Sequence, residues 1–476
     1  MAKIDLPEEH VPIKEKISFG FGGLASDILN GFVFANLTFF YNQKLGADAT
    51  FLGIAWLIFA IWNTINDPIA SYFIDNTRTK IGRRIPYIRY GSVFYGLAFI
   101  FCWFPIAPLN DQIALFFNFL IALFILDTMF TFVGCCFFSL PNEIAVTAKE
   151  RASVMVYSNA IRFVNIALGI ILPIVLLTGQ EGISLIFRIS ILIMGFSCTL
   201  VLFITSFFIK ENIFAQMQPY EPFIEGLRLT LKNKPFWIFM IPSFCINLIY
   251  PVLQTGLLYY IDYVVIGQNI ILFGLALIIG IIFGMGFNLK KMGTWGAKKT
   301  MIRSLLLISI SFAILFFLGR NSYLAAIPTF FLGIGFAGAL IANGVLMGEV
   351  IDNDELITGK RREGIYGGVN AIVTKPGISI ANWMFLGIIT ISGFVDPIIE
   401  NGISIKQPQP ELAIIGILIA FCILPAILIG ISAITLRWYP LDGPEWLKKK
   451  SYIMELHEQK EREYLQTLSK KQKLKT

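Results

Sequence analysis

The chain is 476 residues long, 56% hydrophobic and only 14% charged, with a formal net charge of +7 and a mean hydropathy of +0.71. Soluble proteins carry about 25% charged residues, so a soluble globular class is excluded. Apolar segments long enough to cross a hydrocarbon core of about 30 Å recur from Phe19 to Leu436 and make this a polytopic membrane protein.

Taken in chain order, the hydropathy pattern predicts about twelve spans. They cover 17–43, 50–74, 86–106, 111–141, 152–178, 183–209, 235–263, 268–289, 298–319, 322–349, 364–394 and 410–437. The first apolar run starts late and is followed by many others, so it reads as a membrane anchor rather than a cleaved signal peptide. Numbering the loops alternately separates the basic residues. One side holds Lys14, Lys16, Arg78 to Arg84, Lys149, Arg151, Lys232, Lys234, Lys290 to Lys299, Lys360 to Arg362 and the Lys-rich tail. The other offers Lys44, Arg320 and Lys406. The positive-inside bias then predicts a multi-pass cell-membrane protein with both termini in the cytoplasm.

The longest polar connection between spans, Lys210 to Lys234, divides the chain into six-span halves at 1–209 and 235–437, followed by a charged tail at 438–476. The halves echo one another. Span two leads into TRTKIGRR and span eight into KKMGTWGAKK; span four ends in PNEIAVTAKER and span ten in GEVIDNDELITGKRRE. An all-α integral membrane protein with two like-oriented repeats and a long central loop is expected to adopt the major facilitator fold.

Cys102, Cys135, Cys136, Cys198, Cys245 and Cys422 all fall in apolar segments without metal-ligand spacing and read as buried free thiols. His10 and His457 lie in the polar ends, so no histidine relays protons or holds a metal within the membrane. No histidine–carboxylate metal motif, nucleophile elbow or phosphate-cradling loop is present. An enzyme, a cofactor and a nucleic-acid partner are therefore not expected.

An ionised side chain at bilayer depth costs roughly 2.5–3.5 kcal/mol on insertion scales and demands an explanation. Asp27, Asp67, Asp127, Arg162 and Lys375 sit well inside spans. Three acids against two bases leave one positive charge missing, which a sodium ion or a proton would supply. Helical spacing lines up polar stripes: Asp27, Asn30, Phe34 and Thr38 in span one, Asp127, Thr131, Gly134 and Phe138 in span four, Asn247, Tyr250 and Gln254 in span seven, and Lys375, Ser379 and Asn382 in span eleven. A shared aqueous cavity accounts for them together. Asn63, Asn66 and Asp67 cluster on one arc of span two, where carbonyl oxygens and a carboxylate suit a hard cation or a proton.

At the cytoplasmic ends, Asp75, Arg78, Arg83, Arg84, Glu143, Arg151, Glu349 and Arg362 serve topology first. They are also candidates to pair across the halves as a gate, at about 0–1 kcal/mol per exposed pair. The tail from Trp446 is expected to lie as a short helix on the anionic leaflet or to be a solvated end.

FGFGGLASDILNGF, WNTINDPIASYFIDNTRTKIGRRIP and KRREGIYGGVNAIVTKPG resemble the glycoside–pentoside–hexuronide:cation symporters, the melibiose-permease-like branch of the major facilitator superfamily. The resemblance implies cation-site roles for Asp67, Asn66 and Thr131, and sugar contacts for Asp27 and Arg162. It places Lys375 near both sites and Phe138 where members present a sugar-stacking tryptophan. The chain departs from that pattern. Asn63 stands where members have a second cation-site aspartate, Gly134 where they have a sugar-binding aspartate, and Ser26 where they have a basic residue. Asp127 lies two turns from Gly134 on nearly the same helical side and is the candidate to serve a substrate of different shape.

These readings predict a monomeric secondary transporter in the lipid bilayer. It would move a small organic solute, a sugar or glycoside, with a coupling cation, using Asp27, Asp127, Arg162, Lys375, Phe138, Asn247, Tyr250 and Gln254 for the solute and Asp67, Asn63, Asn66 and Thr131 for the cation. A lysolipid or other amphipathic cargo on the same scaffold is the rival, and a transport-dead receptor the other.

Overall fold

The computed structural model describes residues 10–109, 111–145, 148–162, 164–179, 182–210, 230–265, 271–359, 362–456 and 459. The side chains of Asp75, Phe138 and Glu143 fall outside the described set.

Spans one to four are Ile13–Leu45, Ala49–Asn76, Ile85–Trp103 and Gln112–Ile144. Span five comprises Ala148–Arg162 and Val164–Leu177, and span six is Leu185–Phe208. Span seven is Lys234–Tyr263. Spans eight and nine lie within Ile271–Leu318, which turns at Gly296 with φ 77°, a left-handed conformation open to glycine. Span ten is Ser322–Thr358, and span eleven joins Glu363–Thr374 to Pro376–Ile391. Span twelve runs through Glu411–Leu418, a π-helical turn at Ile419–Ile423, and Leu424–Thr435. Among the described residues, ten helices are long and apolar enough to cross a membrane. Spans eight and nine share one of them and span five adds another, so the twelve expected spans are all present.

The predicted ends hold closely except at two places. Helix continues through most of the KKMGTWGAKK connection, and span ten extends to Thr358 rather than 349. The extension is tolerated because Arg362 folds back on its acidic last turns and holds Asp354 through two nitrogens, Nε to Oδ2 at 3.0 Å and an Nη to Oδ1 at 2.6 Å. A neutralised acid does not stop a helix.

The chain enters several spans at the end away from its termini, called here the far side, through side-chain caps. Asp48, Asp111, Ser184 and Asn321 each accept backbone N–H bonds at the starts of spans two, four, six and ten, satisfying donors that helix geometry leaves open. Small residues then let helices close on one another, as membrane packing requires. A Cβ on Gly280 of span eight would lie 2.2 Å from the Phe330 carbonyl oxygen of span ten, and one on Gly333 would lie 2.5 Å from that of Leu277. Residues facing outward are largely Ile, Leu, Phe and Val, as a lipid-facing surface demands.

The halves meet where span two packs on span eleven, span one on span seven, and span five on spans seven and eight. On the far side, the loop between spans eleven and twelve forms a two-stranded hairpin, β1 Ile398–Glu400 and β2 Ile403–Ile405, paired Ile398 to Ile405. Its turn uses Asn401 (φ 52°) and Gly402 (φ 77°), the Asn-Gly signature of a tight hairpin. The hairpin caps the end of span one: Ser404 Oγ donates to the Gln43 carbonyl at 2.8 Å.

Of the tail, the part from Trp446 to Leu456 and position 459 fall among the described residues. Residues 444–456 are largely helical, but Trp446 and Ile453 are buried and Lys450 pairs with Glu349 at 3.0 Å. Apolar contact and this ion pair hold the start of the tail on the second half.

Candidate functional site

Two ion pairs mark the middle of the bundle. Arg162 of span five grips Asp27 of span one with both ends of its guanidinium, Nε to Oδ2 at 2.5 Å and an Nη to Oδ1 at 2.7 Å. The side chains stay 36% and 27% exposed, so this pair is not sealed within the packing although it lies at mid-helix. Gly23 makes the approach possible, since a Cβ there would meet Arg162 Cδ at 3.1 Å. The second pair crosses the halves: Lys375 Nζ of span eleven lies 2.5 Å from Asp67 Oδ1 of span two.

Asp67 precedes Pro68, and Lys375 precedes Pro376 at the joint of span eleven. A proline cannot donate a helix hydrogen bond and loosens the turn before it. Each partner of the cross-half pair therefore sits where its own helix is weakened, and Lys375 also stands over the Phe130 ring at 5.9 Å.

A hydrogen-bonded chain extends from Asp67 into the protein. Thr131 Oγ1 donates to Asp67 Oδ1 at 3.2 Å, while Asn66 Nδ2 donates to Thr131 Oγ1 at 3.0 Å and to Asp127 Oδ2 at 2.9 Å. Asn63, Asn66, Asp127 and Thr131 are all buried. Thus the structure gathers Asp67, Asn63, Asn66 and Thr131 at the contact of spans two and four. Asp127, read from sequence as a substrate contact, joins that cluster instead and is only 1% exposed.

The remaining substrate candidates spread across the second half. Gln254 Nε2 donates to the Tyr250 hydroxyl at 3.1 Å, and Asn247 Nδ2 is used within its own helix on the Ser243 carbonyl at 2.8 Å. Tyr250 stacks on Phe336 and lies within electrostatic reach of Asp27 across the halves. Buried Asn30 Oδ1, Asn63 Oδ1 and Ser379 Oγ have no hydrogen-bond partner. Unsatisfied polar atoms in a native interior call for water or a ligand. The Phe138 side chain lies outside the described residues.

On the far side the halves are stitched together. Asn382 Oδ1 accepts from Thr255 Oγ1 at 3.1 Å and from Thr38 Oγ1 at 3.5 Å. Beyond it, Asn42 Nδ2 donates to Asp396 Oδ1 at 2.6 Å and the Tyr259 hydroxyl donates to Asn42 Oδ1 at 2.8 Å. Tyr263 bonds Gln43, and Lys406 pairs closely with Asp262. Burial pushes the Asp396 carboxyl up to about 6, against the lowering effect of its bonds from Asn42 and Ala49. Sequence reasoning missed this seal; the ENG turn of the hairpin was its one local signal.

At the opposite end several of the expected gate residues make bonds within their own half. Arg78 donates to the Thr77 carbonyl at 2.9 Å, and Arg84 to that of Cys135 at 3.4 Å. Arg362 holds Asp354 and Glu349 holds Lys450, each within its own half. Arg83 and Arg151 are half-buried at the same end. The cross-half bonds named here run from the Asp67 level outward to the far side.

This arrangement meets the comparisons with known proteins at one point. The model of a family described as MFS/sugar transport protein matches residues 18–443. The chain belongs to that family. Among relatives, it is 22% identical to a putative glycoside/cation symporter, YagG, of Escherichia coli, covering 90% of this chain and 92% of that one. It is 24% identical to the isoprimeverose transporter of Lactiplantibacillus pentosus, covering 91% and 90%. Among solved structures, a bacterial homolog of the human lysosomal transporter Spinster aligns with a TM-score of 0.61 at 14% identity, over 92% of this chain and all of that one. That likeness carries the fold alone. As an MFS/sugar transport family member, the chain is an all-α multi-pass membrane protein, and its relatives' names are those of transporters rather than enzymes.

Proposed function

We propose that this protein carries a small polyhydroxylated solute, a sugar or glycoside, across the cell membrane by alternating access, in symport with a sodium ion or a proton. Positive-inside charge puts both termini in the cytoplasm, so the seal that stitches the halves together on the far side faces outward. It acts as a monomer, since the site is completed by its two halves alone. The observation that carries this reading is the Lys375–Asp67 pair, which ties the halves together and continues into the Asn66–Thr131 chain. The solute would bind in the wet space around Asp27 and Arg162, where a guanidinium, a carboxylate and unsatisfied polar atoms match vicinal hydroxyls. A cation entering the acidic cluster that includes Asp67 and Asp127 would weaken the hold of Asp67 on the Lys375 ammonium, and release of that ammonium would loosen the two halves. Binding that shifts a two-state equilibrium in this way is what coupling requires.

The relatives' names support the solute class and the coupling, because a glycoside/cation symporter and an isoprimeverose carrier share most of the chain. The test is uptake into proteoliposomes under separately imposed sodium and proton gradients, with a panel of monosaccharides, glycosides and a lysolipid. Accumulation of a sugar under one gradient supports the reading. Flux of lysolipid alone, or binding without flux, overturns it. Asp67→Asn should lose accumulation while keeping solute exchange.

A further inference from the structure

Pairing resolves four of the five intramembrane charges. Arg162 neutralises Asp27, and Lys375 neutralises Asp67. The acid left over is Asp127, and among the described residues its only hydrogen-bond donor is the neutral amide of Asn66. Lys375 and Asp67 act on Asp127 electrostatically with opposite signs, and Tyr95 of span three is also within reach, with its hydroxyl spent on the Ser26 carbonyl. No other group in the described network supplies the missing positive charge.

The register of spans two and four adds an independent observation. Both helices run in the same direction, from the far side to the terminal side. Thr131 bonds Asp67, so one turn outward Asn63 stands level with Asp127, about 6 Å further along the axis. Asn63 is 2% exposed and its Oδ1 has no partner. A buried carbonyl oxygen without a donor, beside a buried carboxylate without a cation, is an acceptor set matched to one small positive charge.

We propose that Asp127, with Asn63 Oδ1 beside it, is where the mobile monovalent cation is held, and that Asp67 serves as the switchable partner of Lys375. The acid that the family pattern places on span two at Asn63 is supplied here from span four, on the opposite wall of the same site. The chain Asp127–Asn66–Thr131–Asp67 then links occupancy at Asp127 to the grip of Asp67 on Lys375. A cation at Asp127 removes one negative charge from the neighbourhood of Lys375, weakens the hold on its ammonium and frees the cross-half pair. A proton and a sodium ion share this chemistry.

This inference rests on the coupled-transport reading above but is tested without transport. The purified full-length protein, in sodium-free choline buffer at mildly acidic pH, should show an infrared carbonyl band of a protonated carboxylic acid, read as the difference from Asp127→Asn. The band should vanish in Asp127→Asn, persist in Asp67→Asn and Asp27→Asn, and return in Asp127→Glu. Loss of the band on adding sodium chloride, with release of about one proton per protein into weak buffer, assigns the sodium ion; indifference to sodium assigns the proton. Absence of the band in the parent protein, or its loss in Asp67→Asn and not in Asp127→Asn, overturns the proposal. If Asp127→Asn does not fold, Asn66→Leu removes the donor to Asp127 and should shift the band; an unmoved band is then the contrary result. These outcomes stand even if no tested sugar is transported.

Discussion

Lys375 and Asp67 are 308 positions apart in sequence and 2.5 Å apart in space, joining the two halves through one charge-assisted contact. Their side chains are 22% and 17% exposed, so the pair is neither a dry structural bridge nor a surface contact. Its energetics fall between those limits.

Removing one partner leaves the other charge stranded at bilayer depth. Lys375→Ala is expected to destabilise the protein by about 2 kcal/mol, less than a fully dry pair would lose. The double variant Lys375→Ala/Asp67→Asn should recover at least half of that loss. Thermal unfolding of the four members of this cycle in detergent reads the coupling, and strictly additive effects would refute it.

The Asp27–Arg162 contact is bidentate, with both nitrogens used. Lysine keeps the charge but offers no planar fork. Arg162→Lys should therefore raise the KM for the transported solute about tenfold or more, and solute-induced thermal stabilisation should fall in parallel. Equal solute affinity in the two proteins would remove Arg162 and Asp27 from the binding site.

Asp396 sets a pH dependence on the far side. Its carboxyl is raised to about 6 by burial in the closed seal, and opening exposes it and returns it toward the ordinary carboxylate value. The closed form thus binds the proton more tightly. This contribution to closure is fully present below the ordinary carboxylate range and is lost as pH rises through about 6. Alkylation of Ala35→Cys beneath the seal, with the native cysteines replaced, should be slower at acid than at neutral pH. Asp396→Asn should flatten the profile, and a profile of the reverse slope would contradict the assignment.

Spans eight and ten touch through glycine. Because a Cβ at position 280 would meet the Phe330 carbonyl oxygen at 2.2 Å, Gly280→Leu should cost about 2 kcal/mol through forced separation of the helices. Gly286→Ala, whose Cβ meets nothing within 4 Å, is the control and should leave the unfolding temperature in place.

Much of this was legible in the sequence for a physical reason. Charges within hydrocarbon have few destinations, so Asp27, Asp67, Arg162 and Lys375 had to find each other or water, and they found each other. Helical phase placed Asp127 on the stripe of Gly134 but could not say which neighbour would take it; Asn66 of span two, an uncharged residue, decided the matter. Arg362 was read as a cross-half partner, yet Asp354 lies eight residues away and the nearer acid captured it. The far-side seal was hidden because Asn42, Gln43 and Asp396 have neither periodicity nor excess charge to announce them. Their meaning comes entirely from the docking of the two halves.

The hairpin at Ile398–Ile405 belongs to the second half, yet its Ser404 rests on Gln43 at the end of span one. Access from that face therefore requires a whole flap of backbone to detach, rather than a few side chains to rotate. An antibody fragment that clamps this flap onto the helix end would arrest the cycle without entering the pathway, which makes a short two-stranded loop the natural handle for inhibitors acting from that face.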